Sequence, residues 1–292
     1  QSKAARLQVK PGDWLVNAFV RRLETRRHTM HRLFVPALVV LAALTHIDAF
    51  AAPRVDTSVG RATPPLSGNP MQSKSTELGA SVSGIDELPL VYQSAAFLGI
   101  YGLLGVLSAQ CVKFIDSASK ELVGLEGWRN SFIDTSIPLV LGILYSSAGL
   151  GHFLSKEAFC DIYPAIGSWG LWYVPGSPEF HVAWTGLVEF LGGVGLVASG
   201  ARSILGRDED DDESLPLRLV QPISAAALLL LTMAVTPANI YMYTHGAVMG
   251  PDMPPLDLSF HYIRFAVQVL LLSTLWILVK DSFFYVWGDE LD

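Results

Sequence analysis

Five polar residues of types that do chemistry stand in apolar surroundings: His152, Glu189, Asn239, Arg264 and Gln268. Glu189 lies well inside residues 182–205, VAWTGLVEFLGGVGLVASGARSIL, a run long enough to cross the hydrocarbon core as one helix. A carboxylate at that depth costs about 3 kcal/mol on insertion scales, so it must face other helices or a cavity. Arg264 and Gln268 are four residues apart and share a helix face, with His261 one turn earlier. Asn239 follows Pro237-Ala238, where a proline interrupts an apolar run, and His152 follows Gly149-Leu150-Gly151. Two chemistries suit this set. Glu189 and Arg264 as a buried ion pair would fix helix register, since either charge alone is expensive. Asn239, His152 and Gln268 exceed what one pair needs, which suits a polar pocket for a small ligand, a quinone head group or a proton path. His245 and His261 are further contributors to such a pocket. His152, His245 and Glu189 are metal-ligating types without a local ligand spacing, and no histidines pair at haem-binding depth, so neither metal nor haem is expected. Gly-x-Ser-x-Gly, phosphate-loop and HExxH patterns are absent.

The elements that must position these residues are membrane spans. The chain has 292 residues, 51% hydrophobic and 16% charged, with a mean hydropathy of +0.39, which fits a polytopic membrane protein. Five spans are expected, near residues 88–112, 134–154, 182–205, 217–243 and 260–284, each with about 20 mostly apolar residues. On the third span Gly186, Gly193 and Gly200 step by seven residues on the face of Glu189, which lets a neighbouring helix approach closely. Lys113, Lys120, Arg129, Arg202, Arg207, Arg218 and Lys280 fall at one side and only Lys156 in the loops of the other. The positive-inside rule puts the first side in the stroma or cytosol. There Arg207 leads into the acidic run of residues 208–213, a solvated loop or a docking site for a basic protein partner. The opposite loops carry Tyr163, Trp169, Trp172 and Tyr173, which read as an interfacial belt or as the cover of a cavity mouth.

The first 84 residues read as leader. Residues 30–49 have a short basic region, an apolar run of ~10 residues and a small residue at Ala49, the pattern of a signal peptide. Residues 1–29 begin with Gln and are basic without apolar periodicity; they are upstream translated sequence or a cytosolic extension. Ala49-Phe50-Ala51-Ala52-Pro53 resembles the junction of bipartite targeting sequences in algae with secondary plastids. Residues 50–84 then read as a transit peptide, the alternative being a disordered linker after an ordinary secretory signal. Plastid membrane, thylakoid or envelope, is therefore the expected location, with the endomembrane system as the alternative. Of the charged residues from Ile85 onward 9 are basic and 22 acidic, a net charge near −13, which excludes nucleic acid as a natural partner. Cys111 and Cys160 form no CxxC and imply no disulfide framework.

Gly151-His152-Phe153, Thr185-Gly186-Leu187-Val188-Glu189 with Gly193-Val194-Gly195-Leu196, Pro237-Ala238-Asn239-Ile240-Tyr241 and Arg264-Phe265-Ala266-Val267-Gln268, in that order, resemble the DoxX-like membrane protein family. The resemblance covers residues 134–284 and implies an all-α, four-helix transmembrane core, to which residues 85–133 add one span. It also implies that His152, Glu189, Asn239, Arg264 and Gln268 recur as the family's polar set. Members are associated with quinone-linked sulfur oxidation, redox homeostasis or membrane-protein assembly. The expectation is a non-catalytic accessory component of a redox membrane with a quinone-type ligand. The alternatives are an assembly factor or structural subunit and, less favoured for want of an inverted repeat, a small-solute transporter.

Overall fold

A computed structural model of the chain describes residues 83–121, 135–205, 215–250 and 253–287. The expected extension 1–29, the signal peptide 30–49, nearly all of the transit-like segment 50–84 and the acidic loop 207–214 lie outside the described residues. Five long helices are described: Leu90–Glu121 (α1), Ile137–Leu154 (α2), Pro178–Leu205 (α4), Leu215–His245 (α5) and Leu258–Trp287 (α6). Between α2 and α4 lie a short helix, Lys156–Asp161 (α3), and a 3-10 turn, Ser168–Gly170, and no strand occurs among the described residues. All five long helices are long and apolar enough to cross a membrane, and the chain is a multi-pass membrane protein on that ground. The expected first span ends near residue 112, but α1 continues to Glu121. Charge ends a span, not a helix: beyond the apolar run Asp116 of α1 meets Lys280 of α6 at 3.1 Å.

Lipid tails are as apolar as leucine, so close packing and interhelical hydrogen bonds must hold these helices together. The tightest pair is α2 with α4, and glycine is the reason. A Cβ on Gly142 would lie 2.7 Å from the Gly193 carbonyl and from the Val197 amide; one on Gly200 would meet Leu139 Cγ at 2.7 Å. Gly149 lies directly against the backbone of Gly186 and Phe190. The two stripes, Gly142/Gly149 and Gly186/Gly193/Gly200, each step by seven residues and mesh antiparallel. The small-residue face expected on this stretch is thus occupied, and its occupant is α2. Pro138 in the first turn of α2 and Pro178 at the start of α4 sit where a missing N–H costs nothing. Ser177 Oγ accepts from the Phe180 amide at 3.3 Å, capping α4.

Polar threads cross the remaining interfaces. At the basic end Ser199 of α4 donates to Gln221 Oε1 of α5, and Gln221 Nε2 donates to Ser282 Oγ of α6 at 3.0 Å. Mid-bundle, Tyr145 of α2 and Thr232 of α5 share a hydrogen bond of 2.7 Å. Pro237 makes a further link. It has no N–H to offer the carbonyl of Met233 four residues earlier, and Tyr101 of α1 donates its hydroxyl to that carbonyl at 2.6 Å. Around these threads Leu141, Leu196, Leu228, Leu275 and Leu278 form the core. Leu98, Leu103, Leu191, Leu230 and Trp276 point outward, as lipid-facing side chains do.

Candidate functional site

The five sequence-predicted polar residues come together as two groups. The first joins α2 to α4. His152 sits in the last turn of α2, and Gly186 lets it lie against α4, where a Cβ would meet His152 Cβ at 2.6 Å. His152 Nδ1 lies 3.3 Å from the Val182 carbonyl. A carbonyl can only accept, so that contact needs the hydrogen on Nδ1, whereas the Thr185 hydroxyl, 3.4 Å from the same nitrogen, can donate to it and leave the hydrogen on Nε2. His152 Nε2 faces Glu189 Oε2 at 3.5 Å. With the hydrogen on Nε2 the imidazole donates to Glu189; with it on Nδ1 the pair needs a further proton on one partner. Phe159 of α3 covers the imidazole, with ring centroids 4.0 Å apart. Glu189 therefore meets a histidine and not Arg264; the expected Glu189–Arg264 ion pair is absent among the described residues. Sequence matched Glu189 by depth to the residues of the last span, whereas the seven-residue glycine step turns this face of α4 toward α2.

The second group lines a cleft of about 240 Å³ between α1, α5 and α6. Asn239, Arg264 and Gln268 are all in its wall, with Thr236, Tyr243 and His261. Ile100 and Leu104 of α1, Ile240 of α5 and Phe265 of α6 supply the apolar part. Leu103 and Tyr262 of its lining are 51% and 62% exposed, on the outer surface of the bundle. The back wall is fixed by a chain of hydrogen bonds: Asn239 Nδ2 donates to Gln268 Oε1 at 3.3 Å, Gln268 Nε2 donates to Thr236 Oγ1, and Thr236 donates to the Thr232 carbonyl at 2.8 Å. Arg264 is held differently. One guanidinium N–H points at Met242 Sδ, 2.8 Å away, and the group lies 5.4 Å from the Phe260 ring centroid. His261 lines the cleft beside Tyr243, their ring centroids 5.5 Å apart, whereas His245 packs on Trp169 and Tyr241 away from it. The arrangement suits binding: it combines fixed side-chain donors with an apolar wall.

Sequence reasoning named Trp169 but not its place in the bundle. It has a left-handed backbone (φ 55), is fully buried, and plugs the junction of α1 and α5. Its indole N–H donates to Thr244 Oγ1 at 3.0 Å, its carbonyl accepts from Ser94, and Phe97 packs on the ring at 4.4 Å. It is neither an interfacial anchor nor a lid over the cleft. The signal was the flanking Gly167 and Gly170, both with positive φ, which mark a tight turn. Cys111 and Cys160 are free thiols. Burial, and next the Glu179 carboxylate, push the Cys160 thiol up, away from the thiolate form. No group of three or more metal-ligating side chains occurs among the described residues.

Compared with family models, curated proteins and solved structures, the chain matches none.

Proposed function

We propose that this protein is a non-catalytic accessory component of a redox or electron-transport membrane, and that the α1/α5/α6 cleft holds a lipid-soluble small molecule by its polar head. The DoxX-like resemblance and the plastid location belong to the same proposal. They rest on the order of the motifs and on the leader pattern, and they make a quinone the first molecule to try. The observation that carries the binding reading is the cleft itself: a cavity of about 240 Å³ whose wall includes Arg264, Asn239 and Gln268 and reaches the outer surface at Leu103 and Tyr262. A bilayer-embedded site of this shape is reached through lipid rather than through water. Its fixed N–H donors match carbonyl or acid oxygens, and the apolar wall matches a ring or chain.

The test is a thermal-stability titration of the purified protein with a short-chain quinone. A ligand that binds only the folded state at a hundredfold excess over its Kd stabilises by about 2.7 kcal/mol, a readily measured rise in Tm. The expected result is a rise in the wild type that is lost in Asn239→Leu and in Arg264→Gln. No shift with quinones, together with no lipid-soluble molecule in an extract of the purified protein, would count against the proposal.

A further inference from the structure

Arg264 has a property that a neutral ligand does not explain. A guanidinium carries five N–H donors and a fixed positive charge. Here the acceptor facing it is a thioether, Met242 Sδ, one of the weakest in a protein. Among the described residues no carboxylate lines the cleft and none stands within ion-pair distance of Arg264. The cleft wall adds the neutral amides of Asn239 and Gln268, which are bonded to each other, and the rings of His261, Tyr243 and Tyr262. Among the described residues it therefore offers a cation and no counter-charge. Within a span, an arginine is ordinarily matched by an acid, by backbone carbonyls or by water. Glu189, the acid that sequence offers for this purpose, is taken by His152.

From this mismatch we infer that the cleft takes a membrane-borne amphiphile with an anionic head, a carboxylate or phosphate ester, whose oxygens pair with Arg264. The inference rests on the reading of the cleft as a ligand site and narrows the ligand class from any polar head to a charged one. Carboxylate and phosphate are the groups whose paired oxygens fit the guanidinium fork, and such contacts are roughly twice as strong as neutral hydrogen bonds. The tail has a place too. The cavity accommodates a head and the first part of a chain along Ile100, Leu104 and Phe265, and the rest leaves between Leu103 and Tyr262 into the bilayer. A water-soluble anion would leave that apolar slot unfilled.

The experiment compares a spin-labelled fatty acid with its methyl ester, added to the full-length protein in neutral phosphatidylcholine nanodiscs at a pH where the acid is ionised. The readout is the immobilised fraction of each probe. The wild type should hold the acid about tenfold more tightly than the ester. Arg264→Gln should bring the acid down to the level of the ester, and Arg264→Lys should keep part of the preference, which separates lost charge from lost fold. Equal immobilisation of acid and ester in the wild type would overturn the inference and leave the cleft as a site for neutral molecules. So would an acid preference that survives Arg264→Gln, or displacement of the acid by inorganic phosphate at matched concentration. Immobilisation of neither probe would remove the ligand-site reading as well.

Discussion

Glu189 and Arg264 are the two residues whose charge most needs an explanation within the membrane, and they have different ones. Glu189 meets His152 across the α2–α4 interface, while Arg264 faces a cleft with no acid among the described residues. Both residues stand out in the sequence, because an ionisable side chain in a run of leucines and glycines is costly unless something answers it. Their pairing was not legible. Helical depth alone puts Glu189 level with the polar residues of the last span; which of its neighbours it faces depends on the glycine stripe that turns it toward α2, and the partner sits at the end of a different helix. A double-mutant cycle on reversible unfolding in mixed micelles separates the possibilities. Glu189→Gln and His152→Gln are expected to couple by about 1 kcal/mol, as contacting residues do, whereas Glu189→Gln and Arg264→Met are expected to add within ~0.5 kcal/mol. Rescue of stability in the Glu189→Gln/Arg264→Met double variant would restore the single ion pair read from sequence.

Among the elements, the spans were legible because each is a run of ~20 apolar residues, and the close face of α4 because its glycines repeat every seven positions. The link between α1 and α5 was not. It exists because Pro237 withholds a backbone donor and Tyr101, 136 positions earlier, supplies one to the Met233 carbonyl. Neither residue announces the other in sequence. Trp169 was hidden in a similar way: an aromatic residue in a loop reads as a belt until its left-handed turn carries it into the bundle. The Pro237–Tyr101 account has a direct consequence. Tyr101→Phe leaves the Met233 carbonyl unpaired and should destabilise by about 1 kcal/mol. In a Pro237→Ala background the backbone N–H returns to that carbonyl, and the same change should cost less than ~0.5 kcal/mol. A full-sized effect in both backgrounds, measured by the same unfolding assay, would mean that Tyr101 contributes through packing alone.

The whole molecule is a multi-pass helical membrane protein in which the tight, glycine-meshed pair α2–α4 carries the His152–Glu189 contact and the α1/α5/α6 side carries the cleft. We propose that the cleft, and not one merged polar cluster, is the ligand site. Native mass spectrometry of the protein incubated with a total lipid extract tests it most directly, comparing the wild type with Arg264→Gln and Glu189→Gln. The wild type and Glu189→Gln are expected to carry the same bound lipid-soluble molecule, and Arg264→Gln to have lost it. An empty wild type, equal occupancy in Arg264→Gln, or loss in Glu189→Gln to the same degree would contradict the claim.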